Sequence, residues 1–196
     1  MSQQAAPTAI LAAWNLTASH IASGRVAEFS GRSKESLVFR RVKQELATAS
    51  PDIKVDLEVP FDGWKIDLVG CREAEQIAVE GKFKLRSDGA VPDNRKAAFF
   101  DLYKLERYVG SGKYSRGLFV WLTDEEAYVR PATGDSANFS THNGLVYRPG
   151  TPLHAERSRN IMPLALVLTG RYDFSWQRVP DSKWYLLVLN VPPRTE

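Results

Sequence analysis

The sequence predicts an α/β fold in which helices flank one mixed sheet, and three observations carry that prediction. Apolar residues recur at helical spacing in one segment and at strand character in the next three. A further helical and a further strand segment follow, giving the order helix, three strands, helix, strand. The first two strand runs are separated by Pro60, Phe61, Asp62 and Gly63, which is hairpin-turn chemistry. A strand, a crossover helix and another strand then imply one parallel pairing in an otherwise antiparallel sheet.

The first predicted helix runs from about Pro7 to Ser23 and stops at Gly24. A connector, Glu28 to Ser33, leads to a second helix, Lys34 to Ala49, with Val38, Val42, Leu46 and Ala49 on one stripe. Ser50 and Pro51 end it. Strand-like runs follow at Lys54 to Val59, Trp64 to Val69 and Gln76 to Leu85. A charged loop, Arg86 to Asn94, precedes a helix from about Arg95 to Val109, whose buried stripe is Ala98, Leu102, Leu105 and Val109. Gly117 to Leu122 (GLFVWL) reads as a buried strand. Residues Thr123 to Asn160 are turn-rich and longer than most connections. Pro163 to Phe174 and Trp184 to Val191, separated by Pro180 to Lys183, read as an aromatic-rich terminal β-hairpin packed on or extending the sheet. The expected organisation is a single domain over 1–196. It comprises an N-terminal helical extension (1–32), a core (33–122) and a loop-rich extension with the hairpin (123–196).

With 43% hydrophobic and 25% charged residues the chain is ordinary for a globular protein. Its formal charge of +3 permits a polyanionic partner without requiring one. Cys71 is the only cysteine, which excludes an intrachain disulfide and a cysteine zinc cluster and suits a reducing compartment. The first residues lack a basic n-region and read as an amphipathic helix rather than a signal peptide. No segment approaches membrane-spanning length, so the expected location is cytoplasmic, without membrane contact.

Asp67 interrupts one apolar strand run (IDLV), and Glu80 and Lys82 interrupt the next (VEGK). Residues two apart on a strand share a face, so Glu80 and Lys82 point together, and pairing of the two runs lets Asp67 reach them. Two carboxylates and an ammonium on one sheet surface are costly as pure structure. A divalent cation held by the acids gives them a purpose. The competing expectation is a surface strand end and a cross-strand ion pair, which is worth little.

These residues and this element order resemble the PD-(D/E)xK phosphodiesterases, the restriction-endonuclease-like nuclease superfamily, over roughly Ser33 to Leu122. Ile66 stands where the motif's proline would be. The resemblance implies an α-β-β-β-α-β core and a Mg2+-dependent nuclease, with Mn2+ as substitute. Its ligands would be Asp67, Glu80 and the Gly81 carbonyl. Lys82 would orient the attacking water, or deprotonate it, and offset charge at the phosphorus. The family's helix acid is expected at Glu35. Glu45 lies at a similar position on the stripe, and periodicity does not separate the two. The implied partner is nucleic acid, with DNA foremost, and a homodimer is possible. The alternative is a catalytically inactive module of the same fold that binds nucleic acid or a protein.

Asp101 and Lys104 have two readings: the resemblance offers them as residues facing the site, since polar residues of this helix line it in some members, and an exposed i,i+3 ion pair is the preferred one. His20, His142 and His154 are scattered and receive no role. The five tryptophans read mostly as core.

Overall fold

Pro7 opens helix α1 (Ala6–Ala22), where its missing N–H costs nothing. Ile10, Trp14, Thr17, Ala18 and Ile21 are buried on one side of it. That stripe meets helix α2 (Lys34–Ala49), with Trp14 edge-on to Phe39 at 5.3 Å between ring centroids. The computed structural model describes residues 5–31, 33–154 and 165–193.

Strands β1 (Lys54–Phe61) and β2 (Trp64–Arg72) form a hairpin. Its turn is narrower than the sequence suggests, because Asp62 and Gly63 both take positive φ (46° and 80°) and Pro60 stays in the strand. Strand β3 (Glu75–Lys84) pairs antiparallel with β2. Helix α3 (Val91–Gly110) then crosses to β4 (Arg116–Thr123), which lies parallel to β3. The helix begins ahead of the expected Arg95, since Pro92 stands in its first turn.

The remaining strands are β5 (Leu145–Tyr147), β6 (Pro152–His154), β7 (Ala165–Val167), β8 (Tyr172–Phe174), β9 (Gln177–Arg178) and β10 (Tyr185–Val191). The main sheet is mixed and six-stranded, in the order β1-β2-β3-β4-β10-β9. The expected terminal hairpin needs correction. Its second run is β10, and that strand pairs with β4, because Leu186 buries one face and Leu187 and Leu189 the other. A strand apolar on both faces needs a place inside a sheet. Its first run divides: β7 pairs with β6 and β8 with β5, each in a two-stranded sheet, while residues 163 and 164 lie outside the described residues. The hairpin that does form is short, between β9 and β10.

The sheet separates two cores. Ile66, Ala78, Phe119, Trp121, Leu187 and Leu189 face α3 and the segments after β4. Leu68, Ile77, Val79, Leu118, Val120 and Leu122 face α1 and α2. The N-terminal helix is thus part of a core rather than an appendage. Among the described residues no helix is long and apolar enough to cross a membrane.

Candidate functional site

The β2–β3 ladder runs from Arg72–Glu75 to Leu68–Val79 and stops there. Opposite, on β1, Glu58 takes φ 53°, and the β1–β2 register passes over the Glu58–Asp67 position. A non-glycine residue in that conformation is strained. Asp67 therefore sits where β2 parts from β3, and its Oδ2 accepts the Gly81 N–H at 2.9 Å.

Glu80 and Lys82 both face α3, as the two-residue period of a strand requires. Gly81 between them faces α2. A Cβ there would come within 2.7 Å of Phe39 Cζ and 3.2 Å of the Val120 carbonyl, so no larger residue fits without movement.

From α3 come three polar side chains that the sequence undervalued. Lys104 Nζ lies 2.8 Å from Glu80 Oε2 and 2.8 Å from Asp101 Oδ1, and Lys82 pairs with Asp101 Oδ2. The expected exposed pair is thus buried, with Asp101 only 5% exposed. Tyr108 is the third. Its hydroxyl stands against Glu80, and burial and that carboxylate push the phenol well above its usual range, though neither this hydroxyl nor Glu80 Oε1 completes a well-formed hydrogen bond. Asp101, Lys104 and Tyr108 recur at three- and four-residue intervals beside the apolar stripe, a signal that helical periodicity does contain.

The electrostatics follow from three acids and two ammonium groups with little water. Burial, then the Asp101 carboxylate, push Asp67 up to about 6. Burial, Asp101 and Asp67 push Glu80 well above the usual carboxylate range. Burial alone would raise Asp101 too, but Lys82 and Lys104 outweigh it and hold that carboxyl low. Burial opposes the charge of Lys82, and Asp101 and Glu35 overcome it, so the ammonium is held more tightly than usual. Lys104 behaves alike, with Asp101 and Glu80 as its anions.

Glu35 approaches from the other side of the sheet. Its Oε1 accepts the Phe83 N–H at 3.2 Å and pairs with Lys84 at 2.9 Å. It lines a cleft of about 290 Å³ together with Ser36, Arg40, Glu58 and Asp67. Glu45, in contrast, accepts from Arg41 Nε at 2.7 Å, one turn away on its own helix, and does not line that cleft.

Among the described residues no three His, Cys, Asp or Glu side chains converge as a closed metal cage. Two carboxylates nevertheless suit magnesium, which keeps several waters and draws other oxygens from a phosphate. Glu80 Oε1, a buried acceptor with no donor, fits such an ion. His20 pairs with Glu28, and His142 Nδ1 lies 2.7 Å from Ser140 Oγ, so both are engaged elsewhere. Trp14, Trp121, Trp176 and Trp184 are buried, as expected, whereas Trp64 is half-buried beneath the Arg107 guanidinium. Compared with family models, with curated proteins and with solved structures, the chain matches none.

Proposed function

We propose that the protein is a metal-dependent phosphodiesterase of the PD-(D/E)xK type, with a restriction-endonuclease-like core, that cuts nucleic acid and foremost DNA. One observation carries this reading. Asp67, Glu80 and Lys82 gather near the point where two strands part, close enough for the charge of Asp67 to act on Glu80 and that of Lys82 on Asp67, and Lys104 holds only one of the two Glu80 oxygens.

Asp67 and Glu80 would hold magnesium or manganese, with the Gly81 carbonyl as a third oxygen. Bound there, the ion supplies Lewis acidity to the phosphate and a water of lowered pKa. Lys82 keeps its proton, because Asp101 stabilises the ammonium. It therefore acts as a charged donor to a nonbridging phosphate oxygen, not as the base that removes a proton from water. Glu35, at the cleft, offers an acceptor for a water approaching Asp67 from the α2 side.

The second reading, a noncatalytic binding module, also has an observation in its favour. Lys104 pairs with both Glu80 and Asp101, and Lys82 with Asp101, so protein cations offset part of the acids' charge.

A cleavage time course on plasmid, single-stranded DNA and RNA, in magnesium or manganese, separates the two. A binding titration at the same salt runs beside it. Wild type is expected to cleave, and Lys82→Ala to lose on the order of 10² to 10³ in rate while binding is retained. Glu80→Gln should also stop cleavage, through weakened metal binding. Binding by wild type without cleavage of any substrate selects the module instead.

A further inference from the structure

The proposed chemistry needs Lys82 and the Asp101 charge that keeps it protonated, and it gives Lys104 nothing to do. Yet the four charges form one chain: Glu80 to Lys104 to Asp101 to Lys82. Every member is largely buried, with side chains 1%, 12%, 6% and 13% exposed in that order. Buried ions are held in such a chain only when geometry satisfies each of them. Asp101 uses one oxygen for each lysine. Lys104 takes Glu80 by Oε2 alone, which leaves Oε1 without an ammonium and without a well-formed hydrogen bond, beside the Tyr108 hydroxyl.

We propose that the Asp101–Lys104 pair of α3 is a positioning relay for this site, an inference that rests on the metal reading above. Lys104 pins one oxygen of Glu80 and thereby turns the other toward the metal. Asp101 fixes Lys104 and, through its second oxygen, sets the Lys82 ammonium beside that same metal. Ligand and charged donor are located by one carboxylate, on a helix held rigid by Leu102 and Leu105 in the core below. Neither Asp101 nor Lys104 needs to touch substrate. Their place is behind the groups that do, where removing a partner of a metal ligand commonly costs 10–100-fold in affinity.

The test is a Mn2+ titration followed by electron paramagnetic resonance of the free ion, with no substrate present. Wild type, Lys104→Met, Asp101→Asn and the double variant are compared, each checked for folding by circular dichroism and thermal melting. Each single variant is expected to bind Mn2+ about 10–100-fold more weakly. The double variant should be no weaker than the worse single one, because two members of one relay do not add. If Lys104→Met does not fold, Lys104→Gln keeps a donor at the same place and should lose less affinity than Asp101→Asn. Folded variants that bind Mn2+ as wild type does overturn the relay and leave the metal reading standing. Additive losses in the double variant overturn it as well. A wild type that takes up no Mn2+ removes both.

Discussion

Two buried glutamates lie at helix α3, one on it and one on the strand packed against it, and they are treated in opposite ways. Glu106, 6% exposed, is saturated with donors: the Thr169 N–H and hydroxyl, the Gly170 N–H and the Tyr172 hydroxyl. It fastens the 169–172 segment to the helix. Glu80 on β3, 1% exposed against the same helix, has one ammonium on one oxygen and no well-formed hydrogen bond on the other. Both have a tyrosine nearby: Tyr172 donates squarely to Glu106 at 2.8 Å, whereas Tyr108 lies against Glu80 without a well-formed bond. A carboxylate whose every lone pair is used is structural. One held deep with an oxygen to spare, in a patch of like charges, is stability held back for binding.

Exchanging each for glutamine tests that contrast hardest. At Glu106 an amide NH2 would face donors only, so Glu106→Gln is expected to cost on the order of 3–5 kcal/mol in urea unfolding. Glu80→Gln removes an under-compensated charge and, in chelator at pH 7, should leave stability within about 1 kcal/mol of wild type or raise it. Equal losses at both positions would erase the distinction.

The next effect is one of pH. In the metal-free protein Asp67 has a folded value of about 6 against an ordinary 3.8, so the folded state holds this proton more tightly than the unfolded chain. Its contribution is complete below about pH 4 and is lost as pH rises through 6. At about 1.4 kcal/mol per pKa unit the loss is on the order of 3 kcal/mol. Glu80, also raised, adds in the same direction. Asp101, depressed, has the opposite sign and acts only below its ordinary range. Urea unfolding in chelator from pH 4 to 7 should therefore show declining stability, and Asp67→Asn should flatten the curve. A wild-type curve that rises over this range would mean that the acids are already compensated.

The smallest expected effect belongs to an acid with an ordinary partner. Glu45→Ala removes an i,i+4 pair with Arg41 and should cost about 0.2–0.5 kcal/mol, read by thermal melting. A loss several times larger would place Glu45 among the structural acids with Glu106.

What the sequence made legible depended on how local the cause was. Val38, Val42 and Leu46 declare a helix face, and GLFVWL declares a buried strand, within a few residues. The partner of β10 could not be read that way, since its pairing with β4 joins Leu187 to Trp121 across more than sixty positions. Strands of three residues such as Leu145–Tyr147 are too short to show a period. At the site, Asp67, Glu80 and Lys82 stood out because charge interrupts an apolar run. Asp101 and Lys104 flank the apolar stripe of a helix, where a small rotation decides between solvent and core. Only tertiary packing fixes that rotation. Glu35 and Glu45 were inseparable for the same reason, and the cleft beside Glu35 distinguishes them.

The two rims of the main sheet bear on how the chain behaves in crowded solution. An open strand edge is a template onto which another chain can add. One rim, β9, offers only Gln177 and Arg178. The other, β1, is longer, but it displays Lys54, Asp56 and Glu58, bends at Glu58, and carries Pro60, which has no N–H to give. Neither rim presents a long, flat, apolar run of free amides and carbonyls. The backbone irregularity at Glu58, opposite Asp67, thus has a second effect, since it spoils the β1 edge for fibrillar stacking and makes runaway strand addition a poor route to self-association.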